Sequence, residues 1–289
     1  MLFYEQYSIG GIELRVEGKH TVRRIASMYG FNRFRVTDGS VYPSILRTDV
    51  GLNLPECQWL YCFDIVSATA ECRFGIDAEG CYWFVFGDEG VMRYDPRQPH
   101  IVEIDAMSDP DILRFVMWVA YSLLALPQGA VPVHSSVVVY NNRAVLCLGE
   151  SGTGKSTHTR LWLHEYKHSF LLNDDSPIVC IEGDTVMAYG SPWSGKGGIY
   201  LPSSYPVAGF LRIVQEPENT IKRLSKIEAF GALQPSCPPA LAHDERMMDF
   251  IVDIVGRIIV RVPVYRLGCR PDVMAARLSH DTLFPETCS

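Results

Sequence analysis

The sequence has no surplus of positive charge. Its 26 Lys and Arg stand against 33 Asp and Glu, a formal charge of -7 over 289 residues. That leaves no electrostatic footprint of the kind a phosphate backbone demands, and nucleic acid is not an expected partner. A long apolar run is also missing. The longest, Phe115 to Leu126, is well short of the about 20 residues that cross a bilayer, so it implies a buried helix and no membrane. The start, MLFYEQYSIGGIEL, lacks a basic segment followed by an apolar stretch and a small-residue cleavage site. The expectation is therefore no export and a cytoplasmic location. Nine cysteines are present without one Cys-x-x-Cys pair or a His at zinc spacing, which points to reduced, buried thiols. Repeats at solenoid or propeller periods and low-complexity tracts are absent as well. What remains is ordinary globular composition, 47% hydrophobic and 20% charged, enough for one large core or two modest ones.

Two regions differ in texture. Residues 1–108 carry short alternating or aromatic runs at Tyr7 to Ile9, Ile12 to Val16, Trp59 to Ile65, Tyr82 to Phe86 and Ile101 to Ile104. Turn signals at Gly10-Gly11, Asp38-Gly39 and Glu79-Gly80 separate them, the last joining Arg73 to Ile76 with Tyr82 to Phe86 as a hairpin. This part is expected to be a β-rich N-terminal domain. Asp109-Pro110 then opens an apolar helix that stops near Leu126-Pro127-Gln128-Gly129, with an acidic cap at one end and Pro-Gly chemistry at the other. The boundary is placed there, giving a second domain over 109–289. Within it, Val133 to Tyr140 and Ala144 to Gly149 flank Asn141-Asn142, and Asn tolerates the positive φ of a tight hairpin turn. A helix follows over Lys155 to about His168, then strands at Phe170 to Leu172, Ile178 to Ile181, Val186 to Tyr189 and Phe210 to Val214. Helices at Lys226 to Leu233, Asp244 to about Ile259 and from Pro271, with a strand at Val264 to Leu267, complete the pattern.

The hairpin runs straight into Gly149-Glu150-Ser151-Gly152-Thr153-Gly154-Lys155-Ser156-Thr157, which satisfies G-x-x-x-x-G-K-[ST] between an apolar strand and a helical pattern. Glycines let the backbone wrap a phosphate so that amide N–H groups and a helix N-terminus face its oxygens. Lys155 is placed to bridge β- and γ-phosphates, and Ser156 to set a hydroxyl on Mg²⁺, with Thr157 assisting. Nucleotide phosphate binding is the expectation.

Leu171-Leu172-Asn173-Asp174-Asp175 ends an apolar strand in two carboxylates. Such a strand end beside a phosphate loop is where a carboxylate holds Mg²⁺ or takes a proton from an attacking hydroxyl. An Asx turn capping the strand is the plain alternative. His134 begins the strand that folds back beside the loop; its imidazole is either a metal ligand or proton acceptor there, or a satisfied core histidine. His158, His164 and His168 on the helix are expected at the surface or in packing. Ser191 to Gly198, with Trp193 and Lys196, is either a flap over an acceptor substrate or only a turn.

Val133-His134-Ser135-Ser136, then GESGTGKST, then LLNDD, resembles the HPr kinase/phosphorylase family and its relative, ATP-dependent phosphoenolpyruvate carboxykinase, over about residues 110 to 275. The closing VPVYRLGCRPD is similar to that of shorter HPr-kinase-related proteins. The resemblance implies an α/β (α+β) carboxykinase-like P-loop kinase domain with a mixed sheet and hairpins. It implies ATP with Mg²⁺ or Mn²⁺, Asp174 acting on the acceptor hydroxyl, Asp175 and His134 on the metal side, and an assembly into oligomers. The two aspartate roles are interchangeable at this level. The expected activity is transfer of the γ-phosphoryl group to a hydroxyl of a protein, peptide or small molecule. Three alternatives stay open: a non-catalytic nucleotide-binding module, a carboxykinase-like enzyme using Arg212 and Arg223 for a carboxylate, and a phosphorylase working with phosphate or pyrophosphate.

Overall fold

The computed structural model describes residues 2–37, 43–65, 70–195 and 197–285. The turn signal at Asp38-Gly39 lies outside the described residues. The chain divides into two compact units, Met1–Gly129 with Pro238–Phe250, and Ala130–Cys237 with Ile251–Ser289. Both are mixed α/β.

The first unit holds β1 (Phe3–Ile9), β2 (Ile12–Gly18), α1 (Thr21–Ser27), β3 (Ser44–Arg47), β4 (Cys57–Ile65), β5 (Ala70–Asp77), β6 (Tyr82–Phe86), β7 (Gly90–Tyr94), β8 (Ile101–Ile104) and α2 (Pro110–Ala125). Its eight strands form one sheet in the order β1-β2-β3-β8-β7-β6-β5-β4. Ladders β2–β3 and β3–β8 are parallel and the others antiparallel. The expected β5–β6 hairpin forms, Arg73 facing Val85. β3, β7 and α1 were not expected. Four- and five-residue strands and a two-turn helix carry too little periodicity to stand out.

Asp109 caps α2, its carboxylate accepting from the amides of Asp111 and Ile112 at 2.9 Å. The division between units falls after Gly129 and not at 108/109, because α2 packs on the first sheet. The Tyr121 hydroxyl donates to the Ile9 carbonyl at 2.9 Å, and the Phe115 ring meets Phe63 and Phe86. Pro238–Phe250 joins the same unit for similar reasons: His243 stacks on Tyr61 with centroids 4.0 Å apart, and Tyr82 donates to Asp244 at 2.6 Å.

The second unit holds β9 (Ala130–Pro132), β10 (Ser135–Tyr140), β11 (Arg143–Leu148), α3 (Lys155–Glu165), β12 (Phe170–Asp175), β13 (Ile178–Glu182), β14 (Thr185–Tyr189), β15 (Ser204–Gln215), β16 (Thr220–Arg223) and α4 (Lys226–Leu233). After α5 (Glu245–Arg261), which crosses the division at Phe250/Ile251, come β17 (Val264–Cys269) and α6 (Val273–Leu283). Asn141 and Asn142 take φ of 46° and 56°, closing the β10–β11 hairpin with both central residues left-handed. α3 stops at Glu165, short of His168, because the Ser169 hydroxyl donates to the Trp162 and Tyr166 carbonyls at 3.1 and 2.7 Å.

The strands run β12-β10-β11-β15-β14-β13-β9, with β17 on β15 and β16 on β17. β15 is long enough to serve three ladders. Its start, Ser204–Pro206, pairs with β14, while Val207–Arg212 pairs with β11 and Phe210–Gln215 with β17. One sheet face packs under α3 and α6, where Val138, Cys147, Leu211 and Leu267 meet Trp162, Ala275 and Leu283. The apolar segment Pro110–Gln128 is long and apolar enough to cross a membrane by composition, and it is 67% buried within the protein.

Candidate active site

Ladder register brings the chemistry to one end of the second sheet. Asp175 faces Ser135, Ser135 faces Leu148, and Leu148 faces Arg212, so four adjacent strands present these residues at one level. His134 directly precedes that level on β10, and the glycine loop directly follows it on β11. The sequence sets these groups up to 78 positions apart (212 minus 134), and the pairing of strands removes the distance.

The loop from Gly149 to Gly154 has three left-handed glycines, with φ of 151°, 81° and 105° at positions 149, 152 and 154. A side chain at 149 would start 2.4 Å from the Thr153 hydroxyl, so that glycine is required by space as well as torsion. The Thr153 hydroxyl donates to the Glu150 carbonyl at 2.9 Å. α3 begins at Lys155 and directs the N-terminal end of an eleven-residue helix at the loop, an arrangement that favours anions.

Lys155 is buried, and its Nζ is shared among three acceptors: the Gly149 carbonyl at 2.7 Å, the Glu150 carbonyl at 3.0 Å and His134 Nε2 at 3.0 Å. Burial holds its pKa below the ordinary lysine value, opposed by the Asp175 carboxylate and assisted by the Arg212 charge. An ammonium can only donate, so His134 Nε2 accepts and the ring proton stands on Nδ1, 3.2 Å from Asp175 Oδ1. A chain of contacts therefore runs Asp175, His134, Lys155. Beside it, the Ser156 hydroxyl donates to Asp174 Oδ1 at 2.8 Å.

The two aspartates thus stand apart in function-bearing contacts. Asp174 meets the serine of the loop and Asp175 meets the histidine, the exchange of the arrangement in which Asp175 would accompany Ser156. Among the described residues, no three His, Cys, Asp or Glu side chains group as a metal centre. A hydroxyl with one neighbouring carboxylate nevertheless suits Mg²⁺, which keeps several waters and is otherwise held by substrate phosphates. Ser156 and Asp174 fit that ion; His134 is engaged elsewhere.

Asn173 holds this corner together, and sequence reasoning gave it no role. It is 0% exposed. Its Nδ2 donates to the Trp193 carbonyl at 3.0 Å and the Ser191 hydroxyl at 3.2 Å, while Oδ1 accepts from the amides of Asp175 at 3.0 Å and Ser176 at 2.9 Å. The Ser191–Gly195 loop is thereby pinned against the aspartates. Gly195 donates its amide to the Asp174 carbonyl at 3.3 Å, and a Cβ there would sit 2.7 Å from that oxygen. Trp193 is 4% exposed, packing into the protein instead of offering an open stacking face. Lys196 lies outside the described residues.

Of the remaining loop positions, Glu150 pairs with Arg212 at 3.3 Å and Ser151 is exposed. Gly152, Gly154 and Thr157 line a cavity on the far side of the loop. Arg223 lies on β16, with β17 between it and the strand of Arg212. His158 is buried, accepting at Nε2 from the Trp162 indole at 3.2 Å, as a packing role requires.

No protein-family model matches this chain, and no curated protein matches it. Among solved structures, the Hpr(Ser) kinase/phosphatase from Coxiella burnetii is similar at a TM-score of 0.30 and 14% identity, covering 53% of this chain and 92% of that one. A likeness of that size carries no functional weight; the geometry of the site does.

Proposed function

We propose that the second unit is an ATP- and Mg²⁺-dependent phosphotransferase that moves the γ-phosphoryl group to a hydroxyl, of a protein serine, a peptide or a small molecule. The observation that carries this reading is the convergence of Lys155, the Ser156–Asp174 pair and the His134–Asp175 pair at one sheet end. A loop that only bound nucleotide would need the first two and not the third. The loop amides and Lys155 would hold the β- and γ-phosphates. Ser156 and Asp174 would hold Mg²⁺, which when bound supplies charge neutralisation at the transferring group. As Lys155 turns to phosphate oxygens, His134 Nε2 becomes free to accept the hydroxyl proton, with Asp175 fixing the ring and stabilising the imidazolium. In this assignment Asp175 serves the acceptor and Asp174 the metal. Catalysis then rests on positioning and electrostatics.

The test is transfer of label from γ-labelled ATP with Mg²⁺ to a size-fractionated soluble lysate, comparing wild type with Lys155→Ala and Asp175→Asn. Label entering one fraction with wild type alone supports the reading. Nucleotide binding without transfer to any fraction, equal in wild type and Asp175→Asn, rejects it in favour of a nucleotide-binding module.

A further inference from the structure

Arg212 enters no step of the chemistry above, yet the sheet aims it at the same place. Residues paired across neighbouring strands share a face of the sheet. Asp174 faces Ser136, Ser136 faces Cys147 and Cys147 faces Leu211, and the last two pack against Trp162 of α3. The Asp174 carboxylate, with the Ser156 hydroxyl on it, therefore belongs to the helix-bearing face. The next level, Asp175, Ser135, Leu148 and Arg212, belongs to the opposite face. The sheet end thus separates the pair proposed for Mg²⁺ from the pair proposed for the acceptor, and Arg212 stands on the acceptor side.

Its partners are few for its chemistry. A guanidinium carries five N–H donors, and among the described residues Arg212 has one acceptor, Glu150 Oε1 at 3.3 Å. The Arg212 side chain is 24% exposed and that of Glu150 84%, so a cation largely withdrawn from water is matched to a carboxylate that remains in it. A contact of that kind contributes little. Arg212 also lies close enough to Lys155 for its charge to help hold the lysine pKa below the ordinary value. Two cations converging on one loop repel, and an anion between them relieves the repulsion. Of the phosphates a glycine loop holds, the one that meets the lysine and also passes to the His134–Asp175 side is the γ-phosphoryl group.

We propose that Arg212 is a catalytic residue that binds the γ-phosphoryl group from the Asp175 side, exchanging the Glu150 carboxylate for its oxygens. The proposal rests on the phosphotransferase reading and deepens it. In the transfer, the acceptor oxygen forms a bond to the γ-phosphorus, and the bond to the β–γ bridging oxygen breaks with its electron pair left on the nucleoside diphosphate. The hydroxyl proton passes to His134 Nε2. Arg212 meets the equatorial oxygens throughout, opposite the Ser156–Asp174 pair, and its fork matches two of them at once. Glu150, carried on the loop itself, keeps the guanidinium over the site.

Calorimetric titration of the full chain with Mg²⁺–ADP and with the β,γ-imido analogue of Mg²⁺–ATP tests it, on wild type, Arg212→Ala, Arg212→Lys and Glu150→Gln. Arg212→Ala is expected to weaken the triphosphate analogue about tenfold and ADP by less than about twofold. Arg212→Lys, which keeps the charge and loses the fork, should recover part of the analogue's affinity. Glu150→Gln removes the competing carboxylate and should tighten the analogue about twofold, with ADP unmoved by Arg212 in either form. Equal loss of both nucleotides in Arg212→Ala, as a structural role would give, or no loss of the analogue, overturns the assignment and leaves the phosphotransferase reading standing. Failure of wild type to bind either nucleotide overturns both.

Discussion

Replacing Asn173 with Ala should weaken the second unit and disarm the site together. The side chain satisfies the Asp175 and Ser176 amides and donates to the Trp193 carbonyl and the Ser191 hydroxyl. Alanine leaves all of these without their partner. Asp175 is half-buried, so water can reach its amide, and Ser191 retains the Ser176 carbonyl as an acceptor at 2.6 Å. The Trp193 carbonyl likewise keeps the Ser191 hydroxyl as a donor at 3.0 Å, so the cost is that of lost hydrogen bonds and not of fully stranded groups. At roughly 0.5 to 1 kcal/mol for each of the four lost hydrogen bonds, plus a small cavity, the loss comes to about 3 kcal/mol. For a domain of about 150 residues that is a fall in Tm of roughly 6 to 12 °C. Urea and thermal unfolding followed by far-ultraviolet circular dichroism give the stability, and amide exchange at 175, 176 and 191–195 reports the corner itself. A loss below about 1 kcal/mol, with exchange there unchanged, would refute the claim that this amide organises the aspartate corner.

Three further outcomes are expected. Gly149→Ala, forced to φ of 151° with its Cβ 2.4 Å from the Thr153 hydroxyl, should lose more than about tenfold in Mg²⁺–ADP affinity while the circular dichroism spectrum is retained; a change under about twofold would show that the loop tolerates a side chain. Burial alone would raise the Asp49 carboxyl, but hydrogen bonds from the Thr21 hydroxyl, the Lys19 and His20 amides and the Thr48 hydroxyl bring it down from 3.8 to about 2. Its folded value lies below the unfolded one, so its contribution is complete above about pH 4 and fades as pH falls toward 2. The gap in urea midpoint between wild type and Asp49→Asn should shrink accordingly between about pH 5 and pH 2.5, and a constant gap would contradict the assignment. Finally, Asn142 at φ of 56° should tolerate Gly at no loss but pay about 1 kcal/mol for Ala, as read by urea midpoint, with phosphoryl transfer unchanged in both; equal stability of the two variants would argue that the turn imposes no left-handed demand.

Features whose cause is local could be read from the residues alone. The glycine loop, the Asn141-Asn142 turn and the Asp109 cap each depend on neighbours within a few positions, and each forms where the sequence places it. The carboxylate pair at the end of β12 was legible for the same reason. Which aspartate meets Ser156 was not, because that depends on the register of β10 against β12, including an irregularity between Val137 and Val138. Asn173 was hidden differently. Its acceptors at Ser191 and Trp193 lie 18 and 20 positions away, and an Asn before two Asp residues looks like the start of a turn. β3 and β8 escape strand-by-strand reading in another way: their parallel pairing joins residues 56 apart, Ile45 with Ile101, and nothing local announces it. The helix α2 was read correctly, but a composition shift could not say on which side of it the chain divides.

β15 gives the second unit a thermodynamic property beyond its geometry. One continuous strand supplies hydrogen-bond rungs to β14 at its start and to β11 and β17 further on, so loss of β15 from the sheet takes all three ladders with it. The β13–β14 hairpin, far along the chain from the glycine loop, is thereby enrolled in the same cooperative block. Tightening the carboxyl end of β15 should slow global amide exchange in that hairpin too, and heat should undo all three ladders in a single endotherm.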